Sequence, residues 1–70
     1  MSEQNIAFNV EDMSCQHCID RIKNALTKLN GVYSVIVDLD SKRVVIEYDD
    51  ERIHADILRG TIEDIGYTVR

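Results

Sequence analysis

The sequence predicts a two-layer α+β domain with the element order β-α-β-β-α-β. Three observations predict it. Apolar residues alternate with polar ones in several short runs, the two-residue period of a half-buried strand. Between those runs lie two longer stretches whose apolar residues recur at helical spacing. Turn formers punctuate the switches, with Asn30-Gly31, an Asp-rich "DLDSK" and Gly66 at the boundaries.

The first strand is read over residues 5–10, "NIAFNV", where Ile6, Phe8 and Val10 alternate with Asn5, Ala7 and Asn9. The first helix follows, with Cys18, Ile22, Ala25, Leu26 and Leu29 on one stripe and Asp20, Arg21, Lys23, Asn24, Thr27 and Lys28 off it. Ser14 is the expected N-cap, and Gly31 suits the left-handed position that ends a helix. "VYSVIVDL" then places Tyr33, Val35, Val37 and Leu39 on one face, and "RVVIEY" places Val44, Ile46 and Tyr48 on one face. The short turn between them makes a β-hairpin, with Ile36 and Val45 on its opposite side. The second helix carries the stripe Ile53, Ile57, Leu58, Thr61, Ile62 and Ile65. Asp49 or Asp50 is expected to cap its start, and Gly66 to end it. "YTVR" is read as a short last strand, and Phe8, Leu26, Val37 and Ile62 as core. The result is a ferredoxin-like βαββαβ open-faced sandwich: a four-stranded antiparallel sheet with two helices on one face.

The 70 residues make a single domain spanning 1–70, too small to enclose a substrate pocket easily. Thirteen acidic residues against eight basic ones leave a formal charge of −5, which argues against nucleic acid and against anionic membrane surfaces. No run approaches the roughly 20 apolar residues of a membrane helix, and the N-terminus lacks the basic and apolar regions of a signal peptide. A cytoplasmic location is therefore expected, without membrane insertion. Met1 at the start and Arg70 just beyond the last strand suggest a complete small protein. In a reducing compartment a close cysteine pair is more often metal-binding or redox-active than a structural disulfide.

The only two cysteines are Cys15 and Cys18, in "MSCQHCIDRIKNAL". Cys18 falls in the first turn of the first helix and Cys15 in the loop before it, where unpaired N–H groups and the helix dipole favour thiolates. Structural zinc wants about four protein ligands. Beyond the cysteines the chain offers only His17, pinned between them, and His54 in the second helix, so a closed zinc site is hard to assemble. A dithiol oxidoreductase remains open, although the chain has no Pro or Trp around the pair. The third reading is a two-coordinate site for a soft monovalent ion such as Cu(I), which two thiolates suffice to hold.

Met13-Ser14-Cys15-Gln16-His17-Cys18 resembles the Met-X-Cys-X-X-Cys motif of heavy-metal-associated domains. The likeness runs along essentially the whole chain, through "NGV" after the first helix to the closing "IEDIGYTV", and is similar in kind to the bacterial copper chaperones of that family. Serine before the first cysteine favours copper over zinc or cadmium in this family, and Tyr67 stands where bacterial members carry tyrosine. Asp12 departs from the glycine that commonly precedes the motif methionine, adding a negative charge near the site. The resemblance implies a non-enzymatic cytosolic carrier that holds Cu(I) on Cys15 and Cys18. It would pass the ion by ligand exchange to the metal-binding domains of a copper-transporting P-type ATPase. A copper-bridged homodimer is a further expected partner, because a two-thiolate site leaves the ion open to a second molecule's sulfurs. The alternatives are an N-terminal metal-binding domain of such an ATPase, a carrier of zinc, cadmium or mercury, and the dithiol oxidoreductase. Met13 is read as a core residue rather than a thioether ligand. His17 is read as solvent-exposed, with a capping role on copper as the alternative, and His54 as a helix surface residue. Tyr67 is expected near the metal loop by resemblance, and as core otherwise.

Overall fold

The computed structural model describes residues 3–70. The elements are β1 (Glu3–Asn9), α1 (Gln16–Thr27), β2 (Val32–Asp38), β3 (Arg43–Asp49) and α2 (Ala55–Asp64). The strands form an antiparallel sheet in the order β1-β3-β2, so the hairpin's second strand lies in the middle. Ile6, Ile46 and Val35 meet in one cross-strand row, and Phe8, Val44 and Val37 in the next. These side chains form one face, and Ile22 and Leu26 of α1 and Leu58 and Ile62 of α2 pack against it in a single core. Burial of that face against both helices is the main drive for folding, since a lone sheet or helix this short is marginal in water.

The hairpin turn is closed by Asp38, whose Oδ1 accepts the backbone N–H of Asp40 at 3.0 Å. Lys42 completes the turn with a positive φ of 58°. Gly31, after α1, has a φ of 103°, and its backbone passes so close to residues 52 and 53 that a Cβ there would lie 2.9 Å from the Cβ of Arg52. Both the conformation and the space therefore require glycine.

Four expectations are corrected. The sheet has three strands among the described residues, not four: residues 67–70 form no strand. Only the Arg70 N–H pairs with β1, bonding the Asn9 carbonyl at 2.8 Å. The Thr68 N–H bonds the carboxylate of Asp12. Tyr33 does not join the inner face, because a β-bulge between Val32 and Ser34 puts Val32 inward and leaves Tyr33 53% exposed. Asp49 does not cap α2. Its buried carboxylate accepts the Glu51 N–H at 3.0 Å and the Tyr33 hydroxyl at 3.3 Å, so it organises the turn before the helix, which begins only at Ala55. Ile57 lies off the buried stripe at 51% exposure, while Ile19, left out of the α1 stripe, is buried.

Candidate metal centre

The site is built at the junction of the loop after β1 and the first turn of α1. Cys15, not Ser14, is the N-cap. Its backbone is extended (φ −148°, ψ 162°), its Sγ accepts the Cys18 N–H at 3.3 Å, and its carbonyl accepts the Ile19 N–H at 3.2 Å. The first cysteine thus takes the role that serine or aspartate fills in most helices, leaving a sulfur aimed over the helix N-terminus. Three residues on, Cys18 points to the same side, and the two Sγ atoms are 2.6 Å apart. Both are free cysteines; Cys15 is exposed and Cys18 is half-buried against the core.

Met13 is fully buried beneath this loop, as the sequence reading expected. Its carbonyl accepts the ammonium of Lys42 at 2.6 Å, and Val10, at the loop's start, bonds the Lys42 carbonyl at 2.8 Å. The hairpin turn is therefore fastened to the cysteine loop at two points. The Tyr67 hydroxyl lies beside the Cys18 sulfur, close enough to favour its charged form. The Arg21 guanidinium lies 5.8 Å from the centre of the Tyr67 ring and donates to the Ile65 carbonyl at 3.2 Å, so α1 helps hold the end of α2 in place. His17 is exposed on the first turn of α1, and His54 is exposed at the N-cap of α2.

The hydrogen bond from Cys15 lowers the Cys18 thiol from 9.0 to about 7, helped by those from the Tyr67 hydroxyl and the Ser14 backbone, against a smaller opposing desolvation. The same contact raises Tyr67, which donates to the sulfur and faces its charge. A depressed thiol pKa means that the thiolate is already abundant at neutral pH and is lost as pH falls through about 7. Alkylation of Cys18 in the metal-free protein is expected to rise through a midpoint near 7, followed by mass spectrometry of the modified peptide. Tyr67→Phe removes a donor to the anion and is expected to move that midpoint upward; an unchanged midpoint would show that the hydroxyl does not act on the sulfur.

Two sulfurs on one exposed corner form a donor set for a soft ion that needs few ligands. Asp49, Asp50 and Glu51 also bring carboxylates within 4.8 Å of one another, but these are hard donors and belong to the turn before α2. Of the residues around the site, Lys42 carried no signal in the sequence, since its reach to Met13 depends on the hairpin folding back. Asp12 was visible only as an added charge, not as a partner of Thr68. Among the described residues, no helix is long and apolar enough to cross a membrane.

Residues 7–68 match the family profile of the heavy-metal-associated domain. The chain is 47% identical over 66 residues to a protein of Staphylococcus haemolyticus named copper chaperone CopZ, covering 94% of this chain and 97% of that one. A solved structure described as CopZ metallochaperone superposes with a TM-score of 0.93 at 37% identity, covering 96% of this chain and all of the other. The Cu(I)-loaded N-terminal domain of a potential copper-translocating P-type ATPase from Bacillus subtilis superposes with a TM-score of 0.90 at 28% identity, covering all of this chain and 86% of that one.

Proposed function

Given that the chain belongs to the heavy-metal-associated domain family, we propose that it is a cytosolic copper chaperone. It holds Cu(I) between the thiolates of Cys15 and Cys18 and delivers it to the metal-binding domains of a copper-transporting P-type ATPase. The observation that carries this reading is the pair of sulfurs 2.6 Å apart at an exposed helix N-terminus. The names of the relatives support copper as the cargo, and the likeness to an ATPase domain supports a receiver built in the same way.

The chemistry follows from the donor set. Two thiolates satisfy Cu(I) without surrounding it, so an incoming thiolate can bind before either resident one leaves. A new copper–sulfur bond forms to the receiver as one bond to Cys15 or Cys18 breaks, and the oxidation state of the ion does not change. Such exchange combines tight holding with fast transfer, because the ion is never released to water. The exposure of Cys15 supports its acting as the sulfur first reached by a receiver. A second copy of the chain can offer the same sulfurs, giving a copper-bridged homodimer at high concentration.

The test is to mix the Cu(I)-loaded protein anaerobically with a metal-free N-terminal domain of a copper ATPase, separate the two by ion exchange and measure the copper on each. Copper is expected to partition between them on mixing. In a parallel mixture separated by a dialysis membrane, exchange is expected to be much slower, since direct contact is required. Equal rates in the two arrangements would overturn ligand exchange.

A further inference from the structure

We infer that Asp12 is a positioning residue of the metal centre: it fixes the segment that carries Tyr67, and so sets the tyrosine hydroxyl on the Cys18 sulfur. The inference rests on the reading of Cys18 as a ligand and extends it to a residue outside the Met-X-Cys-X-X-Cys motif.

The chain leaves α2 through Gly66, whose φ of 102° turns it sharply back toward the metal loop. Beyond that turn no strand ladder holds it. Beside the Tyr67 N–H on the Ile62 carbonyl at 3.4 Å and the Arg21 guanidinium over the Tyr67 ring, three ties on residues 68–70 take its place. The Thr68 N–H donates to both oxygens of Asp12, at 3.2 and 3.1 Å. Val69 is buried in the core. Arg70 pairs with Glu11 at 2.8 Å and donates its backbone N–H to Asn9. Among these, the Asp12 bond is the one adjacent to Tyr67, and its acceptor is one residue before the buried Met13, at the root of the metal loop. A charged acceptor makes such a bond stronger than an ordinary one. Asp12 thus ties the residue that follows Tyr67 to the segment that leads into the cysteine loop. The acidic side chain, far from merely adding charge beside the sulfurs, has its lone pairs directed at a backbone N–H.

A double-substitution cycle tests this. Release of copper to a chromophoric Cu(I) chelator would be followed in the native protein, Asp12→Ala, Tyr67→Phe and the double variant. Each single substitution is expected to change the release rate in the same direction by roughly twofold to tenfold, the range one hydrogen bond spans. The double variant should match Tyr67→Phe alone. Asp12→Asn keeps a carbonyl acceptor for Thr68 and should retain most of the native rate. Glu11→Gln, which weakens only the Arg70 tie, should leave it unchanged.

A second readout needs no copper. In the metal-free protein, Asp12→Ala should speed hydrogen exchange at the Thr68 amide and weaken the nuclear Overhauser contact between the Tyr67 ring and the Cys18 β protons. Additive effects on release, or a Tyr67–Cys18 contact that survives Asp12→Ala intact, would overturn the inference. Failure of the ligand assignment looks different: copper would then be insensitive to every variant, while the amide and ring contacts would still decide whether Asp12 positions Tyr67.

Discussion

Replacing Cys18 by serine is expected to weaken Cu(I) binding by about a thousandfold or more, equivalent to roughly 4 kcal/mol, and replacing both cysteines to abolish tight binding. A serine hydroxyl is a hard donor that stays protonated at neutral pH, whereas Cu(I) selects soft thiolates. One remaining sulfur cannot close a two-coordinate site, and among the described residues His17 is the only other soft-ion ligand on that turn of α1. The fold offers an internal control. Cys15 occupies the N-cap, and serine is among the best residues there, so Cys15→Ser keeps the cap's bond to the Cys18 N–H. Its melting temperature should therefore stay close to native while its copper affinity collapses. Competition against a calibrated Cu(I) chelator, beside a thermal melt, separates the two effects. Tight copper binding by the double serine variant would remove the site assignment altogether.

Met13→Ala is expected to cost about 2–5 kcal/mol of folding stability, the usual range for emptying a fully buried long side chain. For a domain of this size that is a large fraction of the roughly 4–10 kcal/mol that holds it folded, and the variant should melt far below the native protein. Met13→Leu preserves volume and should cost less than about 1.5 kcal/mol. The pair tests what the methionine of the motif is for. If Met13 is a packing residue, Met13→Leu binds copper as tightly as the native protein; a drop comparable to that of Cys18→Ser would make its thioether a ligand. Its burial and the Lys42 ammonium on its own carbonyl favour packing.

Much of this was legible in the residue pattern, because local periodicity and burial agree where a face is continuous. Phe8, Leu26, Val44, Ile46 and Ile62 alternate or recur with the right period and are all buried. Gly31 read correctly as a helix stop because only glycine suits its φ. The spacing of the two cysteines was enough to place their sulfurs together, since side chains three residues apart fall to one side of a helix start. What was not legible depended on side chains competing for backbone groups. Ser14 looked like the cap because serine usually is one, and nothing local announces that Cys15 takes its place. Asp49 looked like a helix cap, yet the turn before α2 claims its carboxylate. Asp12 and Thr68 are 56 positions apart, so their bond exists only once the fold has brought β1 and the end of α2 together. The bulge at Tyr33 shifts the face of a strand by one residue, which a strict alternation cannot express.

The burial of Met13 and Ile19 on either side of the cysteine loop has a dynamic consequence. The exposed run 14–17 is thus moored in the core on both sides, and Cys15 ties it to α1 as the helix N-cap. Exposed segments anchored in this way open locally at a lower free energy than the core does. On the proposed function, the ion then leaves without global unfolding, so its turnover places no demand on the marginal stability of a 70-residue domain.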